Sequence, residues 1–238
     1  MQAIAQTMRL EDALNVFHAR NFAYDVLRRF FIEEPSKEYL KQFSYQNMID
    51  LFPFQEESQE LQEGIQHIKN YFSSYDPVNN KDDYENLHWD YTKMFIGPFE
   101  IKVFPWESTY VTKEKFLYQE TTLTVRKEYE KFAFQCADYM EADDHIGLEL
   151  DFMFHLNQLC IESCSQNNKN ALTEVSYLLH EQQKFINQHL GRFVQAFSDG
   201  VTQHADTEFY IGLAKILNHY LLIDLKVLEE LLNIHLEK

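Results

Sequence analysis

The placement of proline constrains this chain more than any other feature. All five prolines (Pro35, Pro53, Pro77, Pro98 and Pro105) lie in the first 105 residues, and none follows. Proline lacks a backbone donor and clashes with the preceding turn, so it divides a chain into short pieces, and a long stretch without it is free to form long helices. Leu10 to Ile32 reads as a first helix, ended near Pro35. Ser36 can cap a second that runs to about Leu51. A third covers roughly Glu57 to Phe72 and a fourth roughly Asp82 to Phe95, and residues 96–112, with Gly97, Pro98 and Pro105, read as an ordered loop.

Beyond that loop the apolar residues fall into stripes at helical spacing. One holds Leu123, Tyr129, Phe132, Cys136 and Tyr139, and the next Ile146, Leu150, Met153, Asn157 and Cys160. Val175, Leu178, Gln182, Phe185, Leu190, Phe193 and Phe197 follow, and Leu213, Ile216, Tyr220, Val227 and Leu231 form the last. Leu148, Phe152, Leu156 and Leu159 add a second apolar face, the mark of a helix central to a bundle. No repeat, low-complexity tract or linker interrupts the pattern. The expectation is one all-α domain over residues 1–238, a bundle of about eight to eleven helices.

Charge narrows the partners. With 38 acids against 21 lysines and arginines the formal net charge is -17, which disfavours nucleic acid and anionic lipid and favours basic partners or plain solubility. No stretch is apolar enough to span a bilayer, and Met1 to Arg9 has no signal-peptide pattern, so a cytoplasmic protein without an integral membrane segment is expected. Cys136, Cys160 and Cys164 make no CxxC pair and read as buried thiols.

The common phosphate, dinucleotide, hydrolase and zincin motifs are absent. Glu85-x-x-His88 has the spacing of a di-iron helix, but no second Glu-x-x-His exists. Asp82-Asp83-Tyr84-Glu85 resembles an Asp-rich metal motif, yet acids at a helix start are favoured by the helix dipole. No metal or cofactor is expected, and a helical metal-dependent enzyme using these residues is the lesser alternative.

Two segments depart from a plain bundle. Tyr91 to Gly97, then Pro105-Trp106-Glu107-Ser108-Thr109-Tyr110, place Tyr91, Met94, Phe95, Trp106 and Tyr110 around one braced loop. Such aromatics either fill a core or line a preformed apolar groove. The second segment is Glu141-Ala142-Asp143-Asp144-His145, with Glu149 one turn beyond His145. Asp143 or Asp144 can cap the helix that follows. Between Phe132 and Asn168 stand seven acids and no lysine or arginine, a density that suggests a site held for an external cation such as arginine.

Together these segments resemble the TorD/DmsD/NarJ family of redox-enzyme maturation chaperones. The family pattern is an aromatic, Leu-Phe-x-Gly-Pro, Pro-Trp-x-Ser-x-aromatic, then Glu-Pro-x-Asp-His. It is met by Tyr91, Met94-Phe95-Ile96-Gly97-Pro98, Pro105 to Tyr110 and Glu141 to His145. Phe185-Ile186-x-x-His189-Leu190-x-x-Phe193 is similar to the family's Phe-Leu-x-x-His-Leu-x-x-Trp helix. Ala142 stands for the usual Pro, Tyr91 for a Trp of some members, Met94 for Leu and Phe193 for Trp. The resemblance implies a helical chaperone, not an enzyme, that binds the twin-arginine leader or N-terminal segment of a molybdopterin oxidoreductase and delays export until the cofactor is loaded. It also implies a monomer or a domain-swapped dimer. The peptide-binding residues expected on this reading are Tyr91, Met94, Phe95, Pro105, Trp106 and Tyr110 for the apolar stretch, and Glu141, Asp143, Asp144, His145 and Glu149 for the arginines. His145 either orients Asp144 or bonds the peptide backbone. A generic helical adaptor, with the aromatic loop as core, is the alternative.

Overall fold

The computed structural model describes residues 7–97, 100–111, 119–135, 141–165 and 170–237. Cys136, Tyr139 and Pro98, named above, lie outside them.

Ten α-helices account for the fold among the described residues, as expected. α1 covers Leu10–Ile32, α2 Lys37–Tyr45, α3 Gln59–Ser74, α4 Lys81–Tyr91 and α5 Ser108–Val111. α6 covers Glu120–Lys131, α7 Ile146–Ser165, α8 Ala171–Gln188, α9 Leu190–His204 and α10 Glu208–Asn233. The first helix has the bounds read from the sequence. Ser36 caps α2, its side chain accepting the Tyr39 N–H at 3.2 Å. That helix stops six residues short of the expected Leu51, because Asn47 turns left-handed at φ 48° and tight turns follow. Two short strands, β1 (Thr7–Arg9) and β2 (His235–Glu237), pair in parallel and tie the start of the described chain to its end.

α1 lies along α7 and α3 along α10, and α10 also packs on α8 and α9. Close approach at the first contact depends on Gly147, where an added Cβ would stand 2.4 Å from the Ile32 Cα. The interior is largely aromatic. Phe30 meets Phe43 and Phe209 edge to face at 5.1 and 4.9 Å, and Phe95 stacks on Phe197 at 5.8 Å.

One charged group is sealed within the core. The Arg20 guanidinium of α1 donates to Asp224 of α10 at 2.6 and 3.0 Å, to Asn157 of α7 at 2.9 Å and to Gln182 of α8 at 2.8 Å. Tyr24 adds a further bond to Asp224 at 2.6 Å. A fork of donors meeting acceptors from three helices leaves this buried charge paired on all sides. Cys160 is buried as expected and Cys164 only half-buried, with burial pushing their thiols up to about 12 and about 11.

Candidate functional site

α4 does not end cleanly at Tyr91 but widens into a π-turn over Thr92–Ile96, closed by Gly97 at φ 67°. The Gly97 N–H bonds the Thr92 carbonyl at 2.7 Å, and an added Cβ would meet the Glu100 carbonyl oxygen at 2.5 Å. The Met94 carbonyl then accepts both Lys102 and Val103 N–H groups, which folds the loop back onto the turn. Tyr91, Met94 and Phe95 are buried by this arrangement, against Phe31, Phe197 and Tyr210.

The loop continues into the second motif. Pro105 is buried, and its carbonyl accepts the Ile146 N–H at 2.7 Å, while the Asp144 carbonyl accepts the Glu107 N–H at 2.9 Å. Trp106 and His145 thereby form an antiparallel bridge, their rings edge to face at 6.0 Å. The two segments that stood out in the sequence are thus bonded directly to each other. Trp106 and Tyr110 are half-buried, and the Tyr110 hydroxyl donates to the Phe104 carbonyl at 2.9 Å. Ile96 and Phe104, on the same loop, are 52% and 43% exposed, so the loop shows an apolar face outward.

The acids behave differently from the expectation of an unpaired cluster. Of the five acids Glu141, Asp143, Asp144, Glu149 and Asp151, Glu141 alone is open to solvent. Asp143 is held by Arg126 of α6, with Oδ2 at 2.8 Å from Nε. Asp144 is fully buried; one oxygen accepts the Ser108 N–H at 2.8 Å and the other the Thr122 hydroxyl at 2.9 Å. Asp151 pairs with Arg28 at 3.0 Å. Neither Asp143 nor Asp144 caps α7. His145 does so, its Nδ1 accepting the Gly147 N–H at 3.1 Å. That bond requires a neutral ring, and burial pushes the His145 pKa down to about 3.

Behind the bridge lies a set of buried carboxyls. Glu107 accepts from His189 Nδ1 at 2.9 Å and from Arg192 at 3.2 Å. Glu149 is fully buried, and neither of its oxygens has a hydrogen-bond partner among the described residues. Burial first, then the nearby charges of Glu107 and Asp144, raise its pKa well above the ordinary carboxylate range, with Arg192 opposing. Burial and these neighbouring charges both favour the protonated form of Glu149. Glu107, His189 and Arg192 were not among the expected site residues. All three fall within the quoted motifs, Glu107 after Trp106 and His189 and Arg192 between Phe185 and Phe193, and their spacing gave no sign that they meet.

Three of the motifs therefore converge, and a fourth joins them through rings: Tyr110 lies 5.7 Å from Phe193, which leads through Phe197 to Phe95. Among the described residues, no group of three or more His, Cys, Asp or Glu side chains is disposed to hold a metal ion. Glu85 instead pairs with Lys81 at 3.1 Å, and His88 lies 3.4 Å from Glu34.

An all-helical fold is what the resemblance implied. The chain belongs to the family described as nitrate reductase delta subunit, whose model matches residues 55–199, from just before α3 to within α9. It is 26% identical over 218 residues to the chaperone protein TorD of Aliivibrio salmonicida (strain LFI1238), covering 90% of this chain and 97% of that one. It is 27% identical over 132 residues to the probable Tat proofreading chaperone DmsD of Haemophilus influenzae, covering 55% and 56%. The Tat proofreading chaperone DmsD of Salmonella typhimurium is 25% identical over 133 residues, covering 56% and 57%. These relatives are named as chaperones, not as enzymes. Among the described residues no helix is long and apolar enough to cross a membrane.

Proposed function

We propose that this chain is a chaperone that binds the twin-arginine leader, or a related N-terminal segment, of a molybdopterin oxidoreductase, assisting cofactor loading and delaying export. The observation that carries the reading is the outward apolar face of the loop, braced from beneath by the bonded pair of motifs. A leader's apolar stretch needs a rigid apolar platform, and a preordered loop loses little conformational entropy when it binds. Trp106 and Tyr110 touch the client, together with Ile96 and Phe104. Tyr91, Met94, Phe95 and Pro105 hold that face in place from within. Glu141 is the open anionic contact, with Asp143 beside it. Asp144, His145 and Glu149 act from the interior, fixing the bridge on which Trp106 rides. Here His145 orients the backbone at the head of α7 and leaves the peptide to other residues.

Calorimetric titration of the full chain with leader peptides, each beside a Lys-Lys control, tests this directly. Saturable binding is expected, and Trp106→Ala should weaken it about 10-fold with helicity unchanged, the effect of losing a central aromatic contact. Equal affinity in the wild type and Trp106→Ala would remove the loop from the site, and no binding by any leader would favour a generic adaptor.

A further inference from the structure

Asp143, Asp144 and Asp151 near the loop are committed to the chain's own donors, which leaves Glu141 as the open anionic contact there, so the second of two adjacent arginines needs carboxylates elsewhere. A groove of 410 Å³ lies between the last turn of α3, the middle of α4 and the first turn of α10. Its lining includes Tyr71, Tyr75, Asp83, Trp89, Asp206 and Glu208, and among the described residues no lysine or arginine lines it. Trp89, on α4, is 52% exposed, and Tyr75, at the C-terminal cap of α3, is 50% exposed. Tyr75 stacks on the buried Tyr71 at 5.2 Å, which fixes one wall. The opposite wall is fixed by the buried Asp90, whose carboxylate accepts the Asp206 and Thr207 N–H groups at 2.9 Å each. Glu208 lies 3.8 Å from His67 Nδ1. Asp206 is held at 2.6 Å by Lys93, which approaches from the π-turn.

A half-exposed indole beside carboxylates is a surface that a planar guanidinium satisfies twice, by stacking on the ring and by bonding the acid. Trp89 and Ile96 are seven residues apart along α4 and its π-turn, about 10 Å at the helical rise. Roughly three extended residues bridge that distance. An arginine placed just ahead of an apolar stretch can therefore reach the groove while the stretch lies on the loop. We propose that this groove is the arginine subsite of the chaperone. The incoming guanidinium stacks on Trp89, takes Glu208, and displaces Lys93 from Asp206. The inference rests on the leader-binding reading and adds a location to it.

The test uses the full chain and a synthetic peptide of two adjacent arginines followed by an apolar run of leucine and alanine. A second peptide has two glutamines in place of the arginines. Calorimetry measures binding, and the two indole N–H resonances report Trp89 and Trp106 separately, assigned with Trp89→Phe. The arginine peptide should bind and shift both indoles, and the glutamine peptide should leave Trp89 unmoved. Trp89→Ala should weaken binding about 3-fold, the effect expected from one exposed cation–π contact. Lys93→Gln, which frees Asp206, should tighten binding, a gain that a merely structural lysine would not give. If the arginine peptide binds with Trp89 unmoved and Trp89→Ala unchanged, the groove is overturned and the chaperone reading stands. If both peptides move Trp89 equally, the groove is no arginine site. If neither peptide binds, the groove and the leader reading fall together.

Discussion

At the scale of single residues, two buried groups at the head of α7 set opposite limits on pH. His145 is neutral in the fold, with its pKa pushed down to about 3 against 6.5 for the free side chain. Its contribution to stability is complete above pH 6.5 and is lost as pH falls below it, by about 1.4 kcal/mol per pH unit. Glu149 behaves inversely. Its pKa is raised by burial, so its contribution is complete below 4.5 and is lost as pH rises through the folded value. Glu149→Gln keeps the neutral form at every pH. Thermal melts of the two proteins should nearly coincide at pH 5 and diverge by pH 8, with the variant melting higher. A constant offset across that range would mean that Glu149 is ionised in the fold. In the sequence Trp106, Asp144 and His145 stand out through two motifs, and Glu149 through its place one turn beyond His145. The sequence did not show that Asp144 and Glu149 face inward. A carboxylate in an acidic run reads the same whether it meets solvent or a Thr122 hydroxyl from a different helix.

At the scale of elements, proline and serine marked most boundaries correctly, because they act through local geometry that needs no partner. α1, α3 and α4 fall within two residues of expectation at their starts. The end of α2 failed because its apolar pattern continues through Met48, Ile49 and Phe52, which are buried from a turn instead of a helix. Periodicity registers burial, and a buried turn can satisfy it as well as a helix can. The contact of α1 with α7 is the element-scale feature with the sharpest consequence. Gly147→Ala places a methyl against the Ile32 backbone, which has no side-chain freedom to yield. A loss of about 3 kcal/mol is expected from such overpacking. Denaturant titration should show it, and an unchanged midpoint would mean that the two helices slide apart freely. Because Gly147 is one residue from the Pro105–Ile146 bond, the same variant should also weaken leader binding.

At the scale of the whole molecule, the Arg20 cluster joins α1, α7, α8 and α10 at one point. Arg20→Met would leave Asp224 buried with its tyrosine donors alone, and a loss of about 3–5 kcal/mol is expected from breaking one side of a sealed pair. Urea unfolding measures it, and a loss below about 1 kcal/mol would show that water reaches Asp224 in the fold. Nothing in the sequence predicted this pairing. Arg20 reads as one more charge on a helix, and its partner lies 204 residues away. Separation along the chain also explains the unseen pairs of Asp143 with Arg126, 17 residues apart, and Asp151 with Arg28, 123 apart; the first ties α6 to the turn before α7 and the second joins α1 to α7. Local patterns gave the all-α class and the aromatic loop, while the electrostatic order of the interior is long-range.

That long range also has a meaning in time. A ribosome adding about 5–20 residues per second releases Arg20 roughly 10–40 seconds before it makes Asp224. Throughout that interval the guanidinium on the inward face of α1 lacks its carboxylate, and the four-helix junction cannot close. The nascent chain acquires its final interior only when the last long helix has been synthesised, so truncated products lacking that helix should be recognisable to proteases as unfinished.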